Sequence, residues 1–227
     1  TNSNNNNNNN EVYLQSKVIK QGRMEVDETG LFSVASSKWG KAFVSLMENH
    51  CRSSLVSSSS SSSSEVKETI AIDLTASVGG VTLPLAKKFK KVIAVEIDET
   101  RAALCRKNMA KFDVADRVQI LNEDSVRIIP IIAEEISGSP KVVIVDPPWG
   151  GPSYQLDKEK EIMMGEWSMV QVMKRISDHL SPTVTGLRMP VGFNYGVFFD
   201  SLKDFNITFE TLEVKKAGPQ LFIIIAV

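Results

Sequence analysis

From Thr69 to the C-terminus, short runs rich in β-branched residues alternate with segments of helical spacing. The runs are Ile70-Ala71-Ile72-Asp73-Leu74, Val92-Ile93-Ala94-Val95-Glu96, Val118-Gln119-Ile120-Leu121 and Val142-Val143-Ile144-Val145. Helices are predicted between them over 81 to 89, 99 to 111 and 126 to 136. Strands that are largely apolar on successive side chains are buried on both faces, and a strand-helix-strand order lays each crossover helix over the sheet. The alternation therefore predicts an α/β fold, a doubly wound parallel sheet covered by helices on both faces. A helix near 167 to 180 and a strand near 183 to 189 continue it. The last two runs, 206 to 215 and 220 to 227, are joined by Ala217-Gly218-Pro219. That connection is too short for a crossover, so the pair must be antiparallel, which brings the sheet to seven strands.

The sequence before Thr69 has a different character. The first ten residues are almost entirely Asn and residues 57 to 64 are an unbroken Ser run. Neither has apolar side chains to offset the entropy of ordering, so they read as a disordered tail and a flexible insertion. Between them Ser36 and Ser37 precede Trp39, Phe43, Leu46 and Met47 at roughly helical spacing, which predicts a capped helix in a short N-terminal helical extension over 11 to 56. Residues 65 to 227 form the main domain. With 227 residues, 42% of them hydrophobic, the chain has material for one sizeable core. A formal charge of -1 excludes a basic domain that grips long nucleic acid through its phosphates, so any such contact should be short. Lys87, Lys88, Lys90 and Lys91, with Arg101, Arg106, Lys107 and Lys111, read as solvated helix faces or as a phosphate-steering patch. Cys51 and Cys105 lack CxxC spacing, and His50 and His179 are isolated, so no metal is expected. No apolar run reaches the roughly 18 residues that cross a bilayer, and the first residues lack a signal-peptide core. The expectation is an intracellular monomer, in nucleus or cytoplasm, with no membrane contact.

In an open sheet of this kind, ligands bind beyond the carboxyl ends of the strands. An acid stands at or after each of the first four strands: Asp73, Glu96, Asp124 and Asp146. Asp73 leads into Thr75-Ala76-Ser77-Val78-Gly79-Gly80, whose small residues let the backbone approach a ligand closely. Glu96 is placed to accept from both hydroxyls of a ribose, and Asp124 from an adenine amino group. With Thr75, Gly79 and Gly80 of the loop and the neighbouring Ile97 and Ser125, these acids make up the candidate cofactor-binding set. Each acid alone reads equally well as an ordinary loop residue. In order, one per strand, they describe a nucleoside pocket.

The segment after the fourth strand, Asp146-Pro147-Pro148-Trp149-Gly150-Gly151-Pro152, carries the reactive chemistry. An amino group on a purine is a poor nucleophile because its lone pair is delocalised into the ring. Accepting both N-H hydrogens, through the Asp146 carboxylate and a backbone carbonyl of the Pro147-Pro148 pair, turns that lone pair toward an electrophilic methyl. The prolines fix the backbone that presents those acceptors. Trp149 offers a face for the base, worth about 1 to 3 kcal/mol in stacking. The alternative is that Trp149 is a core aromatic and the prolines end a strand.

Pro147-Pro148-Trp149-Gly150-Gly151-Pro152-Ser153-Tyr154 resembles the PPWGGPxY block of the trimethylguanosine synthases, and Gly30-Leu31-Phe32-Ser33-Val34 resembles their GWFSV. Val92-Ile93-Ala94-Val95-Glu96-Ile97-Asp98 is similar to the family strand that ends in the ribose-binding acid. The likeness runs from about Asp27 to the C-terminus. It implies a Rossmann-like class I methyltransferase fold, S-adenosyl-L-methionine as cofactor, and transfer to the exocyclic N2 amine of a 7-methylguanosine RNA cap. Glu96 would hold the donor ribose, Asp124 its adenine and Trp149 the cap base, with capped RNA as partner through a short terminal contact. The family usually has Ser at Asp146 and Gly at Ser77. Residues 188 to 194, Arg-Met-Pro-Val-Gly-Phe-Asn, replace a segment with a phosphate-contacting Arg, and Asn194 is the remaining candidate substrate contact.

Three other readings compete. A nicotinamide dinucleotide would use the same ribose acid, but Ser77-Val78-Gly79-Gly80 lacks the GxGxxG spacing and the antiparallel final hairpin suits a dehydrogenase less well. The Asp-Pro-Pro-Trp string also resembles RNA adenine methyltransferases, although there the block precedes the glycine loop and here it follows. A methyltransferase-like adaptor without catalysis would have lost Asp146, the glycine loop or the ribose acid, and all three are present.

Overall fold

The structure is a computed structural model that describes residues 19–21, 24–28, 30, 37–58, 68–139, 141–150, 162–218 and 220–226. The Asn-rich tail, residues 59–64 of the Ser run, 31–34 and 151–154 lie outside the described residues.

A small antiparallel hairpin, β1 (Ile19–Gln21) and β2 (Met24–Val26), and a long helix, α1 (Ser37–Ser58), precede the main sheet. Then follow β3 (Ile70–Asp73), α2 (Thr82–Ala86), β4 (Lys91–Val95), α3 (Glu99–Lys111), β5 (Val118–Leu121), α4 (Ser125–Glu135) and β6 (Lys141–Val145). A two-residue hairpin, β7 (Met163–Met164) and β8 (Trp167–Ser168), leads into α5 (Met169–Leu180), β9 (Val184–Pro190), α6 (Tyr195–Asp204), β10 (Thr211–Ala217) and β11 (Gln220–Ala226). The main sheet has seven strands in the order β10-β11-β9-β6-β3-β4-β5. The pairs β9-β6, β6-β3, β3-β4 and β4-β5 are parallel, and β11 runs antiparallel to both β9 and β10. This is the expected seven-stranded Rossmann-like class I methyltransferase fold with its antiparallel C-terminal pair.

The strands are apolar throughout because both faces are covered. Ile72, Ile93, Val95, Val143, Val145 and Leu187 pack on one side with Ile129 and Ile132 of α4 and Val172 and Ile176 of α5. Ala71, Ala94, Val142 and Ile144 pack on the other with Phe43 and Met47 of α1, Leu85 of α2, and Cys105 and Met109 of α3. Successive side chains of a strand point to opposite faces, so each central strand feeds both cores.

The helix expected around Trp39, Phe43, Leu46 and Met47 is α1, and it lies directly on the sheet. Phe43 stacks on Phe222 of β11 with ring centroids 4.6 Å apart, and both Phe43 and Met47 are fully buried. It runs to Ser58, two residues into the serine run. One expectation is corrected at the C-terminal end, and one element is added. The run from 206 starts as a strand only at Thr211, and residues 195–204 form a helix that the strand pattern passed over. Asn194 caps that helix by accepting from the Val197 N-H at 3.2 Å, and Phe198, Phe199 and Leu202 bury its inner face. Among the described residues no helix is long and apolar enough to cross a membrane.

Candidate active site

From β3 the chain moves outward through β4 to β5, then returns to β6 on the other side of β3. The connections after β3 and β6 therefore lead to opposite edges of the sheet, and a crevice opens at the carboxyl ends of the strands. A cleft of about 840 Å³ occupies that place.

Its first wall comes from the loop after β3. Asp73 is 1% exposed and does not line the cleft. Its carboxylate accepts from the Thr75 N-H at 3.2 Å and the Thr82 hydroxyl at 2.7 Å, so it ties the loop to α2. Burial pushes this carboxyl up to about 6, against the pull of those two hydrogen bonds. Thr75 does line the cleft, and its hydroxyl accepts from the Asp146 N-H at 2.7 Å, joining the loops after β3 and β6. Gly79 and Gly80 are buried behind the wall and do not reach the cleft. Gly79, at φ +99°, holds a backbone conformation that favours glycine, and a Cβ there would also stand 3.2 Å from the Cys105 sulfur of α3. The residue that faces the ligand space is Ser77. At φ +48° it holds the left-handed conformation that favours glycine, which accounts for the glycine the resemblance expects at this position. Its hydroxyl is buried without a hydrogen-bond partner among the described residues.

The second wall follows β4 and β5. Glu96, 7% exposed, accepts from the Ser77 N-H at 2.8 Å through one oxygen. Through the other it accepts from the Asp98 N-H at 2.9 Å and the Arg101 guanidinium at 3.2 Å. Ile97 is 67% exposed and presents its side chain to the cleft. The Asn122 amide donates to the carbonyls of Glu96 and Ile97, which fixes that turn. Asp124 caps α4, accepting from the Val126 and Arg127 N-H groups at 2.9 and 3.1 Å through a single oxygen. The Ser125 hydroxyl donates to the Leu74 carbonyl and locks α4 to the end of β3.

The third wall is the Asp146-Pro147-Pro148-Trp149 loop after β6, which has no regular secondary structure. The Asp146 side chain is 15% exposed and forms an ion pair with Arg188 of β9. Burial raises its carboxyl to about 6, and the Arg188 cation opposes that rise. Trp149 is half-buried, and its indole N-H donates to the Arg188 carbonyl at 3.2 Å. The Arg188 guanidinium lies over the indole, 4.9 Å from the ring centroid.

The structure thus gathers Thr75, Glu96, Ile97, Asp124, Ser125, Asp146, Pro147 and Trp149 around one cleft. It leaves Asp73, Gly79, Gly80 and Asn194 off its wall. Sequence reasoning passed over Glu28, Arg188 and Met164, which also line it. Arg188 could have been suspected as a cation near the end of the strand beside the Asp146 strand; Glu28 and Met164 carried no sequence signal. The basic cluster around β4 is largely committed to nearby acids: Lys88 pairs with Glu48, Lys90 with Glu68, Lys91 with Glu135 and Lys111 with Glu25. That pattern fits solvated helix faces.

Residues 68–190, just over half of the chain, match the family described as RNA cap guanine-N2 methyltransferase. The chain is 29% identical over 142 residues to the uncharacterized protein L320 of Acanthamoeba polyphaga mimivirus, covering 63% of this chain and 54% of that one. It is 27% identical over 148 residues to the ribosomal RNA small subunit methyltransferase A of Caldanaerobacter subterraneus, covering 64% and 52%. The chain spans about half the length of these relatives. A methyltransferase structure from Geobacter sulfurreducens shares the fold with a TM-score of 0.55 at 11% identity, over 86% of this chain and 81% of that one. The cleft fits the family's cofactor: the Ser77 hydroxyl lacks a partner among the described residues, the Glu96 carboxylate accepts from the Ser77 N-H, and Ile97 offers an apolar surface for a purine. The chain is a member of the RNA cap guanine-N2 methyltransferase family, with S-adenosyl-L-methionine as its cofactor.

Proposed function

We propose that this chain methylates the exocyclic N2 amine of a 7-methylguanosine RNA cap. The observation that carries the reading is the seating of Asp146 and Trp149, an amine acceptor and a base-stacking ring, on one short loop at the cleft. Bound S-adenosylmethionine supplies an electrophilic sulfonium methyl. Glu96 and the Ser77 hydroxyl would hold its ribose, Ile97 would cover its adenine, and the second oxygen of Asp124 would accept from the adenine amino group. Asp146 accepts an N-H of the target amine, and a carbonyl of the Pro147-Pro148 pair accepts the other. Asp146 would take the surplus proton of the methylated amine and pass it to water. The acidic side chains Glu28, Glu96 and Asp124 around the cleft favour a cationic donor and a cationic 7-methylated base. RNA is engaged as a single chain at its terminal nucleotide, a reading supported by the pairing of most surface lysines around β4 with acids.

Asp146, in place of the serine that the resemblance expects, favours a second reading in which the amine belongs to adenine. One assay separates them. Cap analogues with and without the 7-methyl group and adenine-containing RNA are offered with labelled donor, and the methylated nucleoside is identified. Label in N2-methylated 7-methylguanosine is the expected result, and label in adenosine would replace this reading with the second. Trp149→Phe should keep part of the activity. Trp149→Ala should raise the Michaelis constant for the cap by an amount corresponding to about 1 to 3 kcal/mol, while S-adenosylhomocysteine binding stays unchanged. Lost S-adenosylhomocysteine binding with intact cap affinity would make Trp149 a structural residue.

A further inference from the structure

Asp146 and Trp149 sit on an irregular loop, and neither helix nor sheet pairing holds their side chains. Both are held by one residue of a different strand. The Arg188 guanidinium pairs with Asp146 and covers the Trp149 ring, while the Arg188 carbonyl accepts the indole N-H. Arg188 is itself fixed, because its Nε donates to the side-chain oxygen of Gln220 at 2.6 Å, and Gln220 is 1% exposed on β11. A chain of contacts therefore runs from the buried antiparallel strand through Arg188 to the two residues on which the proposed chemistry rests.

We propose that Arg188 is the positioning residue of the base site, locking the Asp146 carboxylate and the Trp149 ring into one rigid unit. The proposal rests on the roles given to those two residues above. A planar fork suits this task as a lysine would not: one edge pairs with a carboxylate, another with the Gln220 amide, and the flat face lies on the indole. The same cation opposes protonation of Asp146 in a cleft that burial makes unfavourable to charge. The other charged groups around it are Glu28, Glu96, Asp124 and Arg101 on the cleft wall and the buried Asp73 behind it. Among the described residues Arg188 is the cation paired with Asp146.

Arg188→Ala and Arg188→Lys in the full chain test this. The Asp146 carboxyl is titrated by carbon NMR, assigned with Asp146→Asn, a readout that needs no substrate. In Arg188→Ala the midpoint should rise by roughly 1 to 3 pH units, since an adjacent opposite charge has been removed. The methylation rate at neutral pH, on whichever nucleoside the wild type modifies, should fall roughly 10- to 100-fold through misplacement of the base. Added methylguanidinium should restore part of it, and S-adenosylhomocysteine affinity should not change. Arg188→Lys should hold the midpoint near that of the wild type yet leave the rate low, because charge is kept and the fork is lost. An unchanged midpoint in Arg188→Ala, or full activity in Arg188→Lys, overturns the proposal. Tighter cap binding with an undiminished rate in Arg188→Ala would also overturn it, by making Arg188 an occupant of the base's own place. A wild type that modifies another base would overturn the cap reading and leave these outcomes for Arg188 intact.

Discussion

Glu96 stands one residue past β4, and its two oxygens gather the Ser77 amide, the Asp98 amide and the Arg101 guanidinium. It therefore shapes the turn as well as lining the cleft, where the proposed reading has it hold the donor ribose. Glu96→Ala should weaken S-adenosylhomocysteine binding by about 1 to 3 kcal/mol, because the ribose hydroxyls and the two amides lose an acceptor. Calorimetry that finds the affinity unchanged would remove Glu96 from the donor site. Asp146 carries a second consequence. Its carboxyl is raised to about 6, and only the ionised form can take up the proton that the amine gives up, so activity should be lost as pH falls through about 6. A rate that stays level from neutral pH down to about pH 5 would deny Asp146 that task. Position after a strand was enough to pick out Glu96, Asp124 and Asp146. It was not enough to separate them from Asp73, whose partner Thr82 lies nine residues away on another element and draws the carboxylate inward. Ser77 looked like a departure in sequence, and only its backbone angle and unpartnered hydroxyl give it a place in the site.

At the scale of elements, α1 shows how a helix outside the alternating pattern becomes part of the sheet's cover. Gly186 of β9 is the reason it can settle so close. A Cβ there would stand 2.3 Å from the Met47 sulfur and 2.9 Å from the Phe43 ring. Met47 can bend, but Phe43 is already stacked on Phe222. Gly186→Ala should therefore destabilise the protein by about 1 to 3 kcal/mol through overpacking, read as a lower urea midpoint with an unchanged slope. A neutral effect would mean that α1 is free to lift from the sheet. The spacing of Trp39, Phe43 and Met47 made the helix legible in sequence, whereas its seat on β9 and β11 was not, since it depends on strands more than 130 residues away. α6 escaped because its short apolar face, Phe198, Phe199 and Leu202, lies between two strand-like runs. Its capping residue, Asn194, was read as a substrate contact.

For the molecule as a whole, Asp73 ties stability to pH. Its carboxyl is raised from 3.8 to about 6, so the folded protein binds this proton more tightly than the unfolded chain. The stabilisation it brings is complete below about pH 4 and lost as pH rises through about 6, a change of about 3 kcal/mol. Asp73→Asn keeps the acceptor for Thr75 and cannot ionise. Urea unfolding at about pH 5 and about pH 8 should show a smaller loss of stability in Asp73→Asn than in the wild type, and equal losses would place the charge cost elsewhere. The layered α/β architecture and its antiparallel end were determined by sequence alone, because apolar periodicity and loop length are local properties and each fixes which pairings and crossovers are possible. The same local logic put an acid at the end of each of the first four strands and a Pro-Pro-Trp turn after the fourth. Tertiary structure decided which of those acids faces the cleft, which instead braces a loop, and that Arg188 and Gln220, from the last parallel strand and its antiparallel neighbour, meet at the Asp146-Trp149 loop. Such contacts join residues brought together only by strand order, and a one-dimensional pattern carries no record of the order in which its strands are laid side by side.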